Sequence, residues 1–481
     1  MRLLPAGPTL PALACLALLA CGDSPLGPSA SDFADEPAPI PHPAAVAFVG
    51  VHVVPMTDQA VLEDHTVVVR GSVIEAIGPR AGTTVPPDAF VVEGRGRYLM
   101  PGLADMHVHL TSGSLANLRN DFQLWLANGV TTLRVMWGST GILAVRDRIA
   151  WGVVAGPPIR VASRGIDGPG GTWEASTPTV ATAEEARARV EAHAGAGYDF
   201  IKVYNELDRA QYAAITVEAG AQAIPVVGHV PSRVGMQSVQ DARQMTVEHS
   251  LGLKYAASDP FTGGTLDVPL VAELVGRSAV LGVAHTPTIS VMALSESRAS
   301  ATRAGPEVRR VSPAMRDFFV TGFHHGLPDD VAEREARNGR DMIRAIHDGG
   351  ARLLVGTDAG FGWILPGYSI HDELASFVAA GLSPRSALTA ATSGAARAMR
   401  REGEFGRITV GARADLVLLA RNPLDDVGAL RESSGTMVRG RWLSRGTLSD
   451  RLDAIEASYA AGAGAVPSAP RSFGEAAPPP H

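Results

Sequence analysis

The sequence predicts an α/β fold, a (β/α)8 TIM barrel, with a small β-sandwich domain formed from both chain ends. Three observations predict it. Between Leu99 and Arg400, short apolar runs alternate with helical segments over a span close to the ~250 residues of such a barrel. Residues 45–98 and 404–450 share a different texture, short alternating apolar runs broken by turn residues, and neither stretch closes a sheet alone. Finally, polar residues recur at the ends of the central apolar runs, where a barrel carries its functional side chains.

The chain has 481 residues, 46% hydrophobic and 19% charged, which suits one large domain with an accessory one and excludes a disordered chain. A formal net charge of -7 with no Lys/Arg-rich run argues against a nucleic-acid surface. Nothing in the body approaches the roughly 20 apolar residues of a membrane span. Both cysteines, Cys15 and Cys21, lie in the leader, so thiol catalysis and zinc-thiolate sites are excluded from the mature domain.

Residues 1–21 read as an export signal: Arg2, then an apolar run ending in small residues. Leu18-Leu19-Ala20-Cys21 resembles the lipobox of bacterial lipoproteins. That resemblance implies a periplasmic or cell-surface protein attached to the membrane only through a lipid anchor at Cys21. Residues 22–44, rich in Pro, Ser and Ala, would be its flexible tether.

Residues 45–98 form the first part of the sandwich, with runs such as Ala47-Phe48-Val49-Gly50-Val51 and Thr66-Val67-Val68-Val69-Arg70. Residues 404–450 form its second part, through Leu416-Val417-Leu418-Leu419 and Met437-Val438. The barrel, residues 99–403, has eight candidate strands: Ala104–Leu110, Val130–Met136, Ile159–Gly165, Phe200–Tyr204, Pro225–Val230, Met245–Ser250, Leu281–Thr288 and Arg352–Thr357. Helices such as Thr182–Ala196 and Arg209–Ala221 lie between them, with capping-type starts. The long polar stretch Ser290 to Pro328 reads as a lid over the mouth. Gly168 to Trp173 reads as a mobile loop, with Trp173 lining the pocket. Residues 451–481, rich in Ala, Gly, Pro and Ser, read as a disordered tail.

The chemistry-bearing residues follow from the strand ends. His107 and His109 close the first run two residues apart, so in a strand they share a face and can grip one metal ion. Lys202 sits mid-run in strand four, His229 ends strand five, His249 ends strand six and Asp358 ends strand eight. A buried lysine is costly unless it neutralises or finds a partner. Its neutral amine can take up carbon dioxide to become a carbamate (N6-carboxylysine), an anion able to bridge two cations. An ion pair with Asp358 or Glu248 is the alternative. Tyr204, two residues beyond Lys202, is a candidate to polarise a substrate carbonyl, or a plain rim residue. His285, His324, His325, Arg298, Arg303, Arg309 and Arg310 are candidate substrate contacts or simply surface groups.

The run Tyr98 to Leu110 resembles the opening of the amidohydrolase superfamily, and Gly411-Ala412-Arg413-Ala414-Asp415-Leu416-Val417 resembles its returning segment. Phe200-Ile201-Lys202-Val203, Gly228-His229 and Glu248-His249 resemble its imidazolonepropionase-like branch, which includes prolidase-type and other N-acyl-amino-acid hydrolases. The resemblance implies two divalent metal ions, zinc by default. His107, His109 and Asp358 would hold the first and His229 and His249 the second, with carboxylated Lys202 between. A metal-bridging hydroxide would attack the carbonyl, with Asp358 carrying the proton. Imidazolonepropionase itself works with one metal and has no bridging lysine, so the branch label does not fix the activity.

The expected function is therefore hydrolysis of an amide C–N bond in a small molecule, a dipeptide or an N-acyl amino acid. Cyclic-amide hydrolysis or ring deamination is the rival enzyme reading. A non-catalytic, surface-anchored binding protein is the rival of another class, and the six intact ligand positions argue against it. A homo-oligomer is left open.

Overall fold

A computed structural model describes residues 43–171, 177, 179–256, 264–291, 306–316, 329–360 and 364–462. The leader with Cys15 and Cys21, the residues Trp173, Arg298, Arg303, His324 and His325, and the final residues 463–481 lie outside them.

Five strands form ahead of the barrel: β1 (Ala45–Val53), β2 (Leu62–Arg70), β3 (Val73–Pro79), β4 (Ala89–Glu93) and β5 (Tyr98–Pro101). Three return after it: β14 (Leu416–Leu419), β15 (Ser433–Val438) and β16 (Arg441–Ser444). Where the sequence predicts a sandwich, all eight strands share one hydrogen-bonded sheet, ordered β16-β15-β14-β5-β1-β2-β3 with β4 added to β1. The sheet folds on itself. Phe48 of β1 meets Trp442 of β16 edge to face, with centroids 5.1 Å apart, and Val73 at the far edge bridges to Arg413 just ahead of β14. Alternation explains the packing: Leu99, Leu416 and Leu418 turn into the core of this sheet, while Met100, Val417 and Leu419 turn into the barrel's core. Period-two apolar patterning says that a face is buried. It does not say whether the opposing layer is a second sheet or the same one curled over.

β5 runs into the barrel through Gly102, where an added Cβ would collide with the Thr131 side chain. The barrel strands are β6 (Leu103–Val108), β7 (Val130–Val135), β8 (Ile159–Val161), β9 (Ile201–Val203), β10 (Val226–Gly228), β11 (Thr246–Glu248), β12 (Ala284–Thr286) and β13 (Arg352–Leu353). Each overlaps one of the eight apolar runs. They pair in parallel as two arcs, β6-β7-β8 and β9 through β13. The arcs meet through isolated bridges, Ala162 to Phe200 and Ile166 to Val203 at one seam and Val108 to Ala359 at the other. At that second seam Met106 N–H also donates to Val355 O at 2.9 Å and Asp358 N–H to His107 O at 2.7 Å. This is an arrangement of TIM-barrel type.

Helices Ala183–Gly195 and Arg209–Ala221 start where their caps dictate. Thr182 Oγ1 accepts from Glu185 N–H, and Asp208 forms a reciprocal capping box with Gln211. Ala104, Met106, Met136, Ala162, Phe200, Val227, Ala284 and Leu354 fill one layer of the interior. The β6–β7 ladder shifts register between Asp105 and Val108, and His107, next after Met106, reaches the polar layer described below.

One expectation is corrected here and one open alternative resolved. Residues 451–460 are not part of a disordered tail but complete a helix, Arg445–Ala460, capped by Ser444 and burying Leu448, Ile455 and Tyr459. Three apolar residues in an Ala/Ser/Gly-rich stretch are too few to show as a periodic stripe, yet they suffice to dock one face. Arg309 and Arg310 are not available to a substrate carboxylate. Arg309 pairs with Glu456, and Arg310 pairs with Asp453 and donates to Tyr368 Oη at 3.1 Å. Val311 and Met315 from the same piece of the insertion pack with Leu124 and Leu365. Among the described residues no helix is long and apolar enough to cross a membrane.

Candidate metal centre

The polar layer lies at the C-terminal ends of the barrel strands. β6 ends on His107 and His109, β9 carries Lys202, β10 and β11 lead directly into His229 and His249, and Asp358 follows β13. Two of these turns are strained for residues other than glycine, with φ 57° at His249 and φ 67° at Asp358. Gly228, at φ 127°, is required where it is: a Cβ there would collide with Val203 O on the neighbouring strand, beside Lys202.

The structure brings the sequence-predicted residues into one contiguous cluster. Asp358 Oδ1 is 2.8 Å from His109 Nε2 and 3.3 Å from His107 Nε2. The His107 and His249 rings are 4.7 Å apart, those of His249 and His229 5.0 Å, and Tyr204 stacks on His229 at 4.0 Å. Lys202 Nζ lies 5.8 Å from the centroid of the Tyr204 ring. One ligand atom from each of His107, His249 and Asp358 falls within 4.8 Å of the others.

Hydrogen bonds from behind set which nitrogen of each imidazole faces inward. His107 Nδ1–H donates to Glu248 Oε2 at 2.9 Å, and His229 Nδ1–H to Asn205 Oδ1 at 2.7 Å. His249 Nδ1–H donates to Thr288 Oγ1 at 2.6 Å, because that hydroxyl spends its own proton on Pro287 O at 2.7 Å. All three rings thus turn an Nε2 lone pair toward the cluster, the orientation of metal-binding histidines. Among the described residues, buried Nε2 of His107 and of His229 has no hydrogen-bond partner, a cost that a cation would remove.

The electrostatics agree. Burial holds His107 and His229 well below the usual imidazole range and His249 down at about 4, so all three are neutral near pH 7. Burial alone would raise Asp358, but its histidine neighbours, His107 and then His109, which also hydrogen-bonds to it, bring its carboxyl below the usual range. Lys202 is 1% exposed. Burial draws its amine down to about 8, against the pull of Glu248 and Asp358 and helped by Arg134. No described carboxylate forms an ion pair with it, which removes the salt-bridge alternative. Roughly a tenth of such an amine is unprotonated at pH 7.

Three supporting residues, Arg134, Asn205 and Thr288, went unassigned in the sequence. Arg134, fully buried, donates to both oxygens of Glu248 at 2.9 and 3.0 Å, to Thr246 Oγ1 at 2.8 Å and to Thr286 Oγ1 at 3.2 Å. It holds Glu248 against His107. Asn205 and Thr288 orient His229 and His249, and a cation inside the run Val130–Val135 was the same signal that marked Lys202. His285, by contrast, is no substrate contact: it is fully buried, and its Nε2 meets Ser278 Oγ at 3.0 Å on the helix Val268–Leu281.

Known proteins carry the same architecture. The imidazolonepropionase of Deinococcus radiodurans is 28% identical over 391 residues, 76% of this chain and 87% of that protein. Shorter matches to the adenine deaminases of Ruegeria sp. and Rubrobacter xylanophilus, 42% and 38% identical, span only 9% and 12% of those proteins and 11% and 15% of this chain. Among solved structures, a bottromycin amidohydrolase superposes with a TM-score of 0.70 at 26% identity, over 86% of this chain and 91% of its own. A protein of Bifidobacterium longum provisionally named a prolidase gives 0.68 at 26% identity, over 86% of this chain and all of its own. The Amidohydrolase family model matches residues 98–443. That span runs from the first residue of β5 through the barrel into β16, and the chain belongs to the amidohydrolase family.

Proposed function

We propose that this protein is a binuclear metal-dependent amidohydrolase cutting the C–N bond of a dipeptide or an N-acyl amino acid. The observation that carries the reading is the convergence of three inward Nε2 lone pairs on an ionised, buried Asp358. His107, His109 and Asp358 would hold one divalent cation and His229 and His249 a second, zinc being the default for such a nitrogen and oxygen set. Lys202 joins them once its neutral amine adds carbon dioxide. A new N–C bond forms, one proton leaves, and the cation becomes an anion of two oxygens. When bound, the cations acidify water and polarise a carbonyl.

The chain's own residues do the rest. Asp358 takes the proton of the attacking water and passes it to the leaving nitrogen. Tyr204, held by stacking on His229 and meeting Trp137 edge to face at 6.0 Å, offers its hydroxyl to the substrate carbonyl. Likeness to a bottromycin amidohydrolase and to a provisionally named prolidase supports the amide class. The long match to an imidazolonepropionase favours a second reading, opening of a cyclic amide. Lys202, buried without a counter-ion, favours the first. Export and a lipid on Cys21 are supported by the leader sequence.

Metal-replete protein offered mixed dipeptides and N-acyl amino acids is expected to release free amino acids, detected by mass spectrometry, and His229→Ala to abolish release. Turnover of cyclic amides alone would move the reading to the second class.

A further inference from the structure

His249 owes its orientation to a turn that something else must hold. Thr288, β-branched, adopts φ 49°, a backbone conformation such residues rarely take without support. The support comes from the helix Ser369–Ala379, which follows the eighth strand. From it Glu373, fully buried, accepts hydrogen bonds from Ile289 N–H at 3.0 Å, Ser290 N–H at 2.9 Å and Ser290 Oγ–H at 2.9 Å. Burial pushes its carboxyl up to about 8, and the three donors offset only part of that cost. No cation pairs with it among the described residues. Among the described residues, the hydrogen bonds of this buried acid go only to the turn.

We infer that Glu373 is a positioning residue for the second cation site: by clamping residues 289 and 290 it holds Thr288 in its left-handed conformation, and so fixes the His249 nitrogen that faces the cluster. The inference rests on the proposed role of His249 as a ligand. Both oxygens of the Glu373 carboxyl group accept: Ile289 N–H bonds one, and both Ser290 donors bond the other. A glutamine would aim its own N–H groups at a backbone donor. The same clamp fixes the first residues of the insertion that begins at Ser290.

The test uses the full chain, with zinc as the probe, titrated against a competing chelator and counted by elemental analysis. In parallel, ¹⁵N spectra of the zinc-free protein report the histidine tautomers. Glu373→Gln is expected to keep one zinc equivalent tight and weaken the second about 10–100-fold, the usual cost of losing an outer hydrogen-bonding partner. It should also lose the Nδ1–H signal of His249. Thr288→Val removes the hydroxyl and keeps the branched shape, so it should weaken the second zinc alike. The double variant should be no worse than either single one. Ser290→Ala, which leaves both backbone bonds, should stay near wild type.

Unchanged zinc affinities in a Glu373→Gln protein that merely melts lower would overturn the inference and leave a structural role. If Glu373→Gln does not fold, Thr288→Val decides in the same way, since unaltered second-zinc binding there breaks the link to His249. Wild-type protein that takes up no second equivalent would overturn the ligand assignment itself.

Discussion

Replacing Lys202 with alanine is expected to lower kcat/KM for amide hydrolysis by about 1,000-fold or more, and to leave the fold intact. The amine is buried and has no ion-pair partner among the described residues, so its removal breaks no salt bridge there. On the proposed reading, what is lost is the anion that would join two cations. His229 and His249 would then be two neutral ligands facing a doubly charged ion, and several kcal/mol of charge stabilisation would go with the bridge, each 1.36 kcal/mol being tenfold in rate. Bound metal should fall toward one equivalent while the melting temperature holds or rises. Activity within tenfold of wild type would point to one-ion chemistry, cyclic-amide hydrolysis or deamination, for which Lys202 is dispensable.

The largest stability effect is expected at Arg134. Arg134→Met should destabilise the protein by about 3–5 kcal/mol, the range for breaking a buried ion pair from one side. Arg134 and Glu248 are both fully buried, and among the described residues Arg134 is the one permanently charged cation paired with Glu248. Without the guanidinium, the buried Glu248 is left with only Thr246 and His107 as side-chain partners among the described residues. The defect should reach the site, because a Glu248 no longer held by Arg134 orients His107 Nδ1–H less firmly. Denaturant unfolding measures the first effect, and Arg134→Met/Glu248→Gln should recover part of it. A loss under 1 kcal/mol would mean that the pair contributes little.

The strand-end residues were legible because a parallel barrel leaves a simple mark. A short apolar run followed by one polar residue recurs at His107, His229, His249 and Asp358, and a lysine inside such a run stands out at Lys202. The residues that orient them were not legible, for a physical reason. Asn205 and Thr288 act through hydrogen bonds made across the fold, spanning 24 and 39 residues of chain, and no local pattern encodes such a partner. Glu248 was visible as half of Glu-His and as a possible partner of Lys202, but its actual partner Arg134 lies 114 residues away. The β-domain was readable as two apolar textures. Its topology was not, because one curled sheet and two stacked sheets demand the same alternation along each strand. The helix Arg445–Ala460 escaped notice since most of its length is alanine, serine and charge. Its docking instead uses side chains such as Tyr459, which receives a hydrogen bond from Asn120 at 2.9 Å.

The central claim is that these residues hold the metal that does the chemistry. The most direct measurement is the metal content of the purified full chain, followed through chelation and zinc reloading with hydrolysis assayed on the same samples. Two equivalents per chain, lost together with activity and restored together with it, is the predicted result. Undiminished amide hydrolysis in protein stripped of metal would contradict the account.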